Sequence, residues 1–335
     1  MAGSFSRKIQ LGLETTKGTA VAATTIWRGP GSDIEDRREM VFIDEDVGYI
    51  PNVSRSTVPK LLAGIAIPEA PATFEQLPYI LAAGIKNVVS GSADGEGDGK
   101  IYAYTFPTTA ENTTKTYTVE AGNIMQAYQL EYAFPTDFKL SMKPGEVIQM
   151  SSNWTGRQKT KTDFTAELSL PSVEEILGSN ATLSIDDNDG SFGGTGVSNS
   201  LMGFELNIVT GLKPRFRGSG NLYFPASVLD KKAFEVMLNV TFEYNASAVG
   251  EVDNFEDEIT RLIQLKAEGS AFSTGGTTYS KKTLLIQIAG LWEKFEVVDE
   301  QDGNDIVTGI FRGTYEPTAA EFGGITVVNE LASLP

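Results

Sequence analysis

The stretch Asp94–Thr105, which reads DGEGDGKIYAYT, holds the residues of this chain whose spacing best suits metal binding. Asp94, Glu96 and Asp98 take the first, third and fifth positions of a calcium loop, and a glycine takes the sixth. However, Thr105 stands at the twelfth position, where a glutamate should close the site, and the residues before it alternate like a strand rather than a helix. We therefore expect a solvated loop without a metal. Asp94, Glu96 and Asp98 are the residues that a cation would use if one bound.

The chain of 335 residues contains neither cysteine nor histidine. This excludes disulfides, thiolate zinc sites, a Ser-His-Asp triad and the usual general base near neutral pH. An enzyme would have to use paired carboxylates, lysine, tyrosine or bound magnesium. No glycine-rich phosphate motif is complete, and no pair of carboxylates stands out among the many acids. We therefore expect no catalytic site and no cofactor.

The balance of charge is strongly acidic. The chain has 44 acids and 27 bases, which gives a formal net charge of −17. Such a surface repels nucleic acids and anionic lipids. No apolar run approaches the roughly 20 residues that span a bilayer, and the N-terminal segment MAGSFSRKIQLGLE has no apolar leader. We expect no specific binding to DNA, no membrane insertion and no secretion signal.

Most of the sequence is typical of strands. Segments rich in Val, Ile, Tyr, Phe and Thr follow one another and are separated by Gly, Asp, Asn and Pro turns. Four of these segments are predicted as separate strands: Ala127–Phe134, Phe138–Met142, Thr278–Ile288 and Trp292–Val298. A hairpin is predicted near the C-terminus, with Asp302 and Gly303 in its loop.

Helices are few. One is predicted over Gln76–Ala83, with Gly84 as its stop. The other is predicted over Asn254–Gln264, where Asp253 and Glu256 form a capping box. A third, short helix is predicted in Ser172–Gly178, because Ser172 and Glu175 have the same relation.

The two longer helices occupy similar places in the two halves of the chain. In addition, DFKLSMKPGEVIQMSS at 137–152 is echoed by KFEVVDEQDGNDIVTG at 294–309. We therefore predict a mainly β fold with two similar domains, at residues 1–165 and 166–335, which are joined near Lys161–Gly178 and have one helix each. Gly29–Ser56 and Asp186–Ser200 are predicted to be long irregular loops.

Several phrases of the sequence resemble the major tail (tail tube) proteins of long non-contractile-tailed bacteriophages. These phrases are LGLETTKGTAVAATTIWRG, EDVGYI, TFEQLPYILAAGI, SSNWTGRQ and GTYEPTAAEFGGITVVNEL, and they run nearly end to end. The resemblance implies two tandem tail-tube-like β-sandwich or barrel domains, each with one flanking α-helix. It implies a structural virion protein that is not an enzyme.

The resemblance also implies how such a protein works. Chains with two such domains build trimeric rings with pseudo-sixfold symmetry, and the rings stack into a hollow tube that conducts DNA into the host. The expected partners are other copies of the chain, the tape measure protein, the tail terminator and the tail tip proteins. Double-stranded DNA passes through without specific binding. The protein is expected in the virion and, during assembly, in the host cytoplasm.

The acidic loop with two arginines is our candidate for the contact between rings. Glu35, Asp36, Arg37 and Arg38 are the predicted interface residues, because arginine pairs well with carboxylates on an adjacent ring. Two other classes stay open. One is an extracellular calcium-dependent β-protein of the S-layer or adhesin kind. The other is a phage-borne glycosidase with paired carboxylates, although Trp27, Trp154 and Trp292 are scattered rather than clustered as in a sugar groove.

Overall fold

The computed structural model describes residues 6–301 and 303–335. Strands make up 52% of it and helices 7%, which confirms the predicted mainly β fold. All strand pairs are antiparallel. The strands are β1 Lys8–Leu13, β2 Thr25–Ile26, β3 Glu35–Asp36, β4 Glu39–Asp44, β5 Val53–Lys60, β6 Ala63–Pro71, β7 Ser92–Ala93, β8 Lys100–Thr105, β9 Tyr117–Gly122, β10 Ala127–Met142, β11 Gln149–Gly156, β12 Lys159–Thr162, β13 Ala181–Asp187, β14 Gly196–Val197, β15 Leu201–Arg215, β16 Ala226–Glu243, β17 Arg261–Ala271, β18 Lys281–Phe295, β19 Asp299–Gln301, β20 Asn304–Gly313 and β21 Gly323–Asn329. The helices are α1 Leu77–Gly84 and α2 Ala246–Glu256, and a short 3-10 turn covers Gly178–Asn180.

One long strand, β10, belongs to two sheets. Its first part pairs with β9 on one side and β12 on the other, and its second part pairs with β11 and β15. Between these parts Tyr132 has a φ of 55°, and the register with β11 shifts between Pro135 and Asp137. Such a bulge bends a strand and turns it out of one sheet into another. The two strands predicted at 127–134 and 138–142 are therefore one bent strand.

β18 repeats this design. It pairs with β17 and β21 up to about Gly290, and beyond that residue it pairs with β20. Its register with β20 shifts between Trp292 and Lys294. The two predicted strands at 278–288 and 292–298 are therefore also one bent strand, which ends at Phe295.

The strand pairing of residues 8–162 recurs in residues 181–329, and we call these segments the first and second repeats. β1 pairs with β2 and β9, and β13 likewise pairs with β14 and β17. β6 pairs with β3 and β11, and β16 likewise pairs with β15 and β20. α1 packs on β10 and α2 packs on β18. The two repeats thus run β1-β2-β3-β6-α1-β9-β10-β11-β12 and β13-β14-β15-β16-α2-β17-β18-β20-β21, whereas β4, β5, β7, β8 and β19 have no counterpart.

The bulges fix how the repeats align. In β10 the register shift lies opposite Trp154 and Asn153, and in β18 it lies opposite Phe311 and Ile310. Asp137 and Phe138 therefore correspond to Lys294 and Phe295, as in the echo between the two sequence segments.

Strands also connect the repeats. β10 pairs with β15, and β8 pairs with β21. Leu140 of the first repeat and Leu206 of the second lie in one hydrophobic cluster, and both are fully buried. The division into domains at 165/166 stays a prediction.

Aromatic side chains pack together in the interior of each repeat. In the first repeat the ring of Tyr117 contacts Tyr79 of α1 and meets Trp154 of β11 edge-on. In the second, Trp292 contacts Phe242 and Phe311. Edge-to-face contacts of this kind add to the free energy of burying the rings.

The helix prediction is confirmed for α1 and wrong in position for the second helix. α2 begins after Asn245, whose side-chain oxygen accepts hydrogen bonds from the backbone N–H groups of Ser247 and Ala248. Asp253 lies inside the helix, and 261–264 belong to β17. The spacing of Leu262 and Ile263 suited a helix, but both side chains are buried in the sheet.

The predicted third helix at 172–178 is wrong too. Glu175 forms an isolated antiparallel bridge with Thr73, and helical turns begin only at Gly178. The backbone of this linker is used to pair with the first repeat, since the N–H of Ile176 donates to the carbonyl of Ala72.

The two segments predicted to be irregular contain short strands. Gly29–Ser56 includes β3, β4 and the start of β5. In Asp186–Ser200 the carboxylate of Asp186 accepts hydrogen bonds from the N–H groups of Gly193, Gly194 and Thr195, which closes a tight turn before β14. The C-terminal hairpin is formed by β19 and β20, and Asp302 of its predicted loop lies outside the described residues.

The helix start makes a prediction about stability. Replacing Asn245 with alanine removes the cap, and we expect it to lower the free energy of unfolding by about 1–2 kcal/mol. The matched variant Asp253→Ala should change it by less than about 0.5 kcal/mol, because an exposed side chain inside a helix contributes little. Urea denaturation followed by circular dichroism measures both. A larger loss from Asp253→Ala than from Asn245→Ala would contradict the observed helix start.

Candidate assembly surfaces

The β4–β5 hairpin is the most apolar exposed feature of the described chain. It forms a two-stranded sheet of its own, separate from the other strands. Tyr49 and Ile50 at its turn are 74% and 102% exposed. Other large apolar side chains along it are exposed too: Met40, Val41, Phe42, Val47 and Val53. An isolated hairpin is marginally stable in water, and clustered exposed apolar groups indicate an interaction surface.

The four predicted interface residues lie together at the base of this hairpin. Arg37 Nε lies 2.6 Å from Glu35 Oε2, and Arg38 Nε lies 2.7 Å from Asp36 Oδ2. The hydrogen bond from Arg38 is the main reason that the pKa of Asp36 is lowered from its ordinary value. All four side chains are at the surface, but their charges are paired within the chain. Their contact with a second ring stays a prediction.

A broad sheet face with polar side chains runs across β11, β10, β15, β16 and β20. Ser151, Lys139 and Asn207 are neighbours in register, and the hydroxyls of Thr241 and Thr308 lie 2.9 Å apart. The opposite face carries core residues. We call the former the polar face.

The cations of the polar face are held by acids. Lys139 Nζ lies 2.5 Å from Glu205 Oε2. Desolvation acts to raise the pKa of Glu205, but the hydrogen bonds from Lys139 and Asn207 outweigh it and lower the pKa. Arg312 contacts both Glu235 and Glu293, at 2.7 and 2.9 Å. Lys139 and Arg312 are thus neutralised by three carboxylates, which leaves this face polar and slightly acidic.

Backbone N–H groups of the same chain bind the carboxylates of Asp94 and Asp98 in the predicted calcium loop. Asp94 is 3% exposed, and its carboxylate accepts hydrogen bonds from the N–H groups of Thr278 and Tyr279, the latter at 2.6 Å. Asp98 accepts one from Thr274 N–H at 2.8 Å, whereas Glu96 is exposed. Within residues 6–301 and 303–335 no three acidic side chains gather in a way that could hold a metal ion. This loop fastens the β7–β8 pair to the second repeat.

The hydrogen bonds to Asp94 also set its ionisation. Desolvation acts to raise its pKa, but the N–H donors of Tyr279 and Thr278 outweigh that effect and hold the pKa below its ordinary value. The backbone donors thus favour the charged form, as a bound cation would.

Two observations bear on the carboxylate-pair alternative. Trp27, Trp154 and Trp292 are all at most 5% exposed, so their rings are core groups. Glu14, a buried acid, accepts hydrogen bonds from Gly18 N–H at 2.6 Å, from the Thr116 hydroxyl at 2.5 Å and from Tyr132 N–H at 2.8 Å. These contacts give Glu14 a structural role beside the bend in β10.

Sequence reasoning missed one of the most exposed apolar side chains. Val297 is 91% exposed and lies two residues after the end of β18. The echo between 137–152 and 294–309 aligns Val297 with Leu140, which is completely buried, so nothing in the sequence signals that Val297 is exposed.

The comparisons with known proteins add no family. No family model matches the chain, and no curated protein matches it significantly. Among the described residues, no helix is long and apolar enough to cross a membrane.

The Asp94 loop gives a prediction that separates a metal site from a structural one. Addition of calcium to about 1 mM should leave the melting temperature unchanged, because two of the three carboxylates that would bind it, Asp94 and Asp98, already accept backbone hydrogen bonds. Asp94→Ala should lower the melting temperature at pH 7, since it leaves buried N–H donors without an acceptor. Differential scanning calorimetry measures both effects.

The pH dependence follows from the lowered pKa. The stabilisation by Asp94 is present at neutral pH and is lost as the pH falls through the folded-state pKa, so Asp94→Ala should flatten the acid limb of the stability curve. Stabilisation of the wild type by calcium that Asp94→Ala abolishes would instead establish a metal site.

Proposed function

We propose that this chain is the structural subunit of a phage tail tube. In this proposal the copies assemble into rings, the rings stack, and DNA passes through the resulting hollow tube. The observation that carries the proposal is the repeated strand pairing, in which β10 of the first repeat is joined edge to edge with β15 of the second. A chain that already joins two similar units in this way has the geometry of a ring segment.

Three copies would then supply six similar units. Head-to-tail contacts close into a ring when the rotation between successive units divides the circle, and otherwise they form an open filament. The β10–β15 joint fixes that rotation within each chain. A trimer with pseudo-sixfold symmetry follows if the joint between copies resembles the joint within a copy. In this proposal each repeat would be one of the two tandem domains predicted from the sequence.

The polar face suits a surface along which DNA slides. Affinity for DNA comes mainly from lysine and arginine that neutralise phosphates. On this face Lys139 and Arg312 are neutralised by Glu205, Glu235 and Glu293, and the whole chain carries −17. We assign the polar face to the inner wall of the tube, where it would let DNA pass without holding it.

The β4–β5 hairpin suits the contact between rings. Its apolar side chains are exposed in a single chain, and burial against the next ring would remove Tyr49 and Ile50 from water. At roughly 25 cal/mol per Å² of apolar surface, even one such hairpin per chain stabilises a stack substantially. The charged base at 35–38 would then set the orientation of the hairpin. Tape measure, terminator and tail tip proteins are the further partners that this role in a virion would require.

Assembly of the purified chain tests the proposal. Concentrated wild-type protein should form rings and tubes visible by negative-stain microscopy. Tyr49→Asp/Ile50→Asp should form rings that do not stack, because charged groups would then occupy the ring contact. The matched control is Ile124→Asp/Met125→Asp, in which both replaced residues are 73% exposed at another turn. It should form normal tubes. Wild-type protein that stays monomeric at every concentration would refute the proposed function.

The two arginines give a separate prediction. Arg37→Glu/Arg38→Glu breaks two ion pairs at the surface and should leave the circular dichroism spectrum and melting temperature nearly unchanged. Tube growth measured by light scattering should be impaired, because four acids would face the adjacent ring. Normal tube growth of this variant would show that residues 35–38 are not part of the contact between stacked rings.

A further inference from the structure

Among the described residues, β18 has an unpaired edge after its bulge, whereas the corresponding part of β10 is paired on both sides. After the bulge, β10 pairs with β11 on one side and with β15 on the other. β18 pairs with β20 on the corresponding side, but beyond Gly290 no strand of the described chain lies on its other side. We call this segment, Trp292–Asp299, the open edge. Unpaired edges of this kind are ready templates for another strand.

The open edge exposes an apolar side chain at a position where β10 has a covered one. Aligned through the bulges, Leu140 corresponds to Val297, and the former is 0% exposed while the latter is 91% exposed. Val298 is exposed as well, at 42%. Consecutive exposed valines after a strand indicate a missing neighbour, because β-branched residues favour paired strands.

The β10–β15 joint, which we call the internal joint because it lies within one chain, identifies the segment that would pair with the open edge. β15 covers the edge of β10, and β15 is the strand that pairs with β16. The counterpart of β15 in the first repeat is β3 with the residues before it, since β3 pairs with β6 as β15 pairs with β16. The residues of β3 and β15 can be matched because β6 and β16 are aligned by their pairing with β11 and β20. Glu35 then corresponds to Asn207, and Asp36 corresponds to Ile208. The edge of β3 that faces away from β6 carries no strand in the described part of the chain.

We infer that the open edge of one copy pairs antiparallel with the segment Ser32–Asp36 of a second copy. This inference rests on the proposed function, and it names the contact that joins copies within a ring. In the register of the internal joint Val297 lies opposite Ile34, as Leu140 lies opposite Leu206. Val298 lies opposite Asp33, as Ser141 lies opposite Glu205. The two halves of this contact are on different repeats, so the contact is head-to-tail and can close a ring.

Charge makes this contact sensitive to salt. The register places Glu296 opposite Glu35 and Lys294 opposite Arg37, while the opposite charges meet only diagonally. Like charges directly across a strand pair are unfavourable, and every copy also carries −17. Salt screens both repulsions, so ring formation should be favoured as ionic strength rises.

Engineered cysteines test the pairing. The natural chain has no cysteine, so every disulfide must form between the introduced residues. The test variant is Asp33→Cys/Val298→Cys, and the matched control is Ser141→Cys/Glu205→Cys, which places the same pair across the internal joint. Both are concentrated at high salt, oxidised mildly and run on a non-reducing denaturing gel. Strand neighbours in register lie within disulfide distance. The test variant should give covalent dimers and trimers, and the control should give an internal disulfide with monomer mobility.

The outcomes separate the contact from the function. Rings that form without a covalent ladder in the test variant would overturn this pairing and leave the proposed function standing. Dimers that the single variants Asp33→Cys and Val298→Cys form as readily as the test variant would overturn it too, because they would indicate random collision. Absence of any assembly in wild type and variants would remove both proposals. As a second measurement, Val297→Pro should abolish rings at an unchanged melting temperature, since proline removes a donor from an exposed edge.

Discussion

The hydrogen bonding along β10 is the constraint on which the rest of the structure depends. A strand of 16 residues can satisfy its backbone N–H and C=O groups only if other strands cover both of its sides. Four strands do so: β9 and β12 on the first part, β11 and β15 on the second. The last of these comes from the second repeat. Folding of the first repeat is thereby tied to the position of the second.

The region around the bend shows how this tie is reinforced. Tyr132, Phe134, Phe224 and Leu212 form a small hydrophobic cluster apart from the main core. The guanidinium of Arg157 stacks on the ring of Tyr132, and its nitrogens donate to the carbonyls of Gly18, Phe224 and Pro225. One side chain therefore links the N-terminal turn, the bent strand and the β15–β16 connection. A planar group with several fixed donors suits this task better than lysine would.

Periodicity and capping residues predicted the fold class and α1, but they could not place what depends on distant partners. α2 was misplaced because Asp253 and Glu256 have the spacing of a cap, although Asn245 supplies the actual one. The sequence predicts two strands in place of each bent strand, β10 and β18. In β10 no residue type near Tyr132 signals the positive φ at the bend. The acids at Asp94 have the spacing of a cation site, yet their partners are N–H groups about 180 residues later in the chain. The exposure of Val297 could not be predicted for the same reason. Alternation of apolar and polar residues indicates which face of a strand is apolar, but the whole fold decides whether a neighbouring strand covers that face.

The β10–β15 joint also affects how quickly such an assembly could form. Because a peptide chain connects its two halves, they meet at an effective concentration set by the tether rather than by the amount of protein in solution. Half of the joints in a ring of six units are then complete before any two molecules collide, and each collision adds two units in a fixed orientation. A chain with a single unit would have to reach the same ring through more than twice as many encounters between molecules, and each encounter would offer a chance of misalignment.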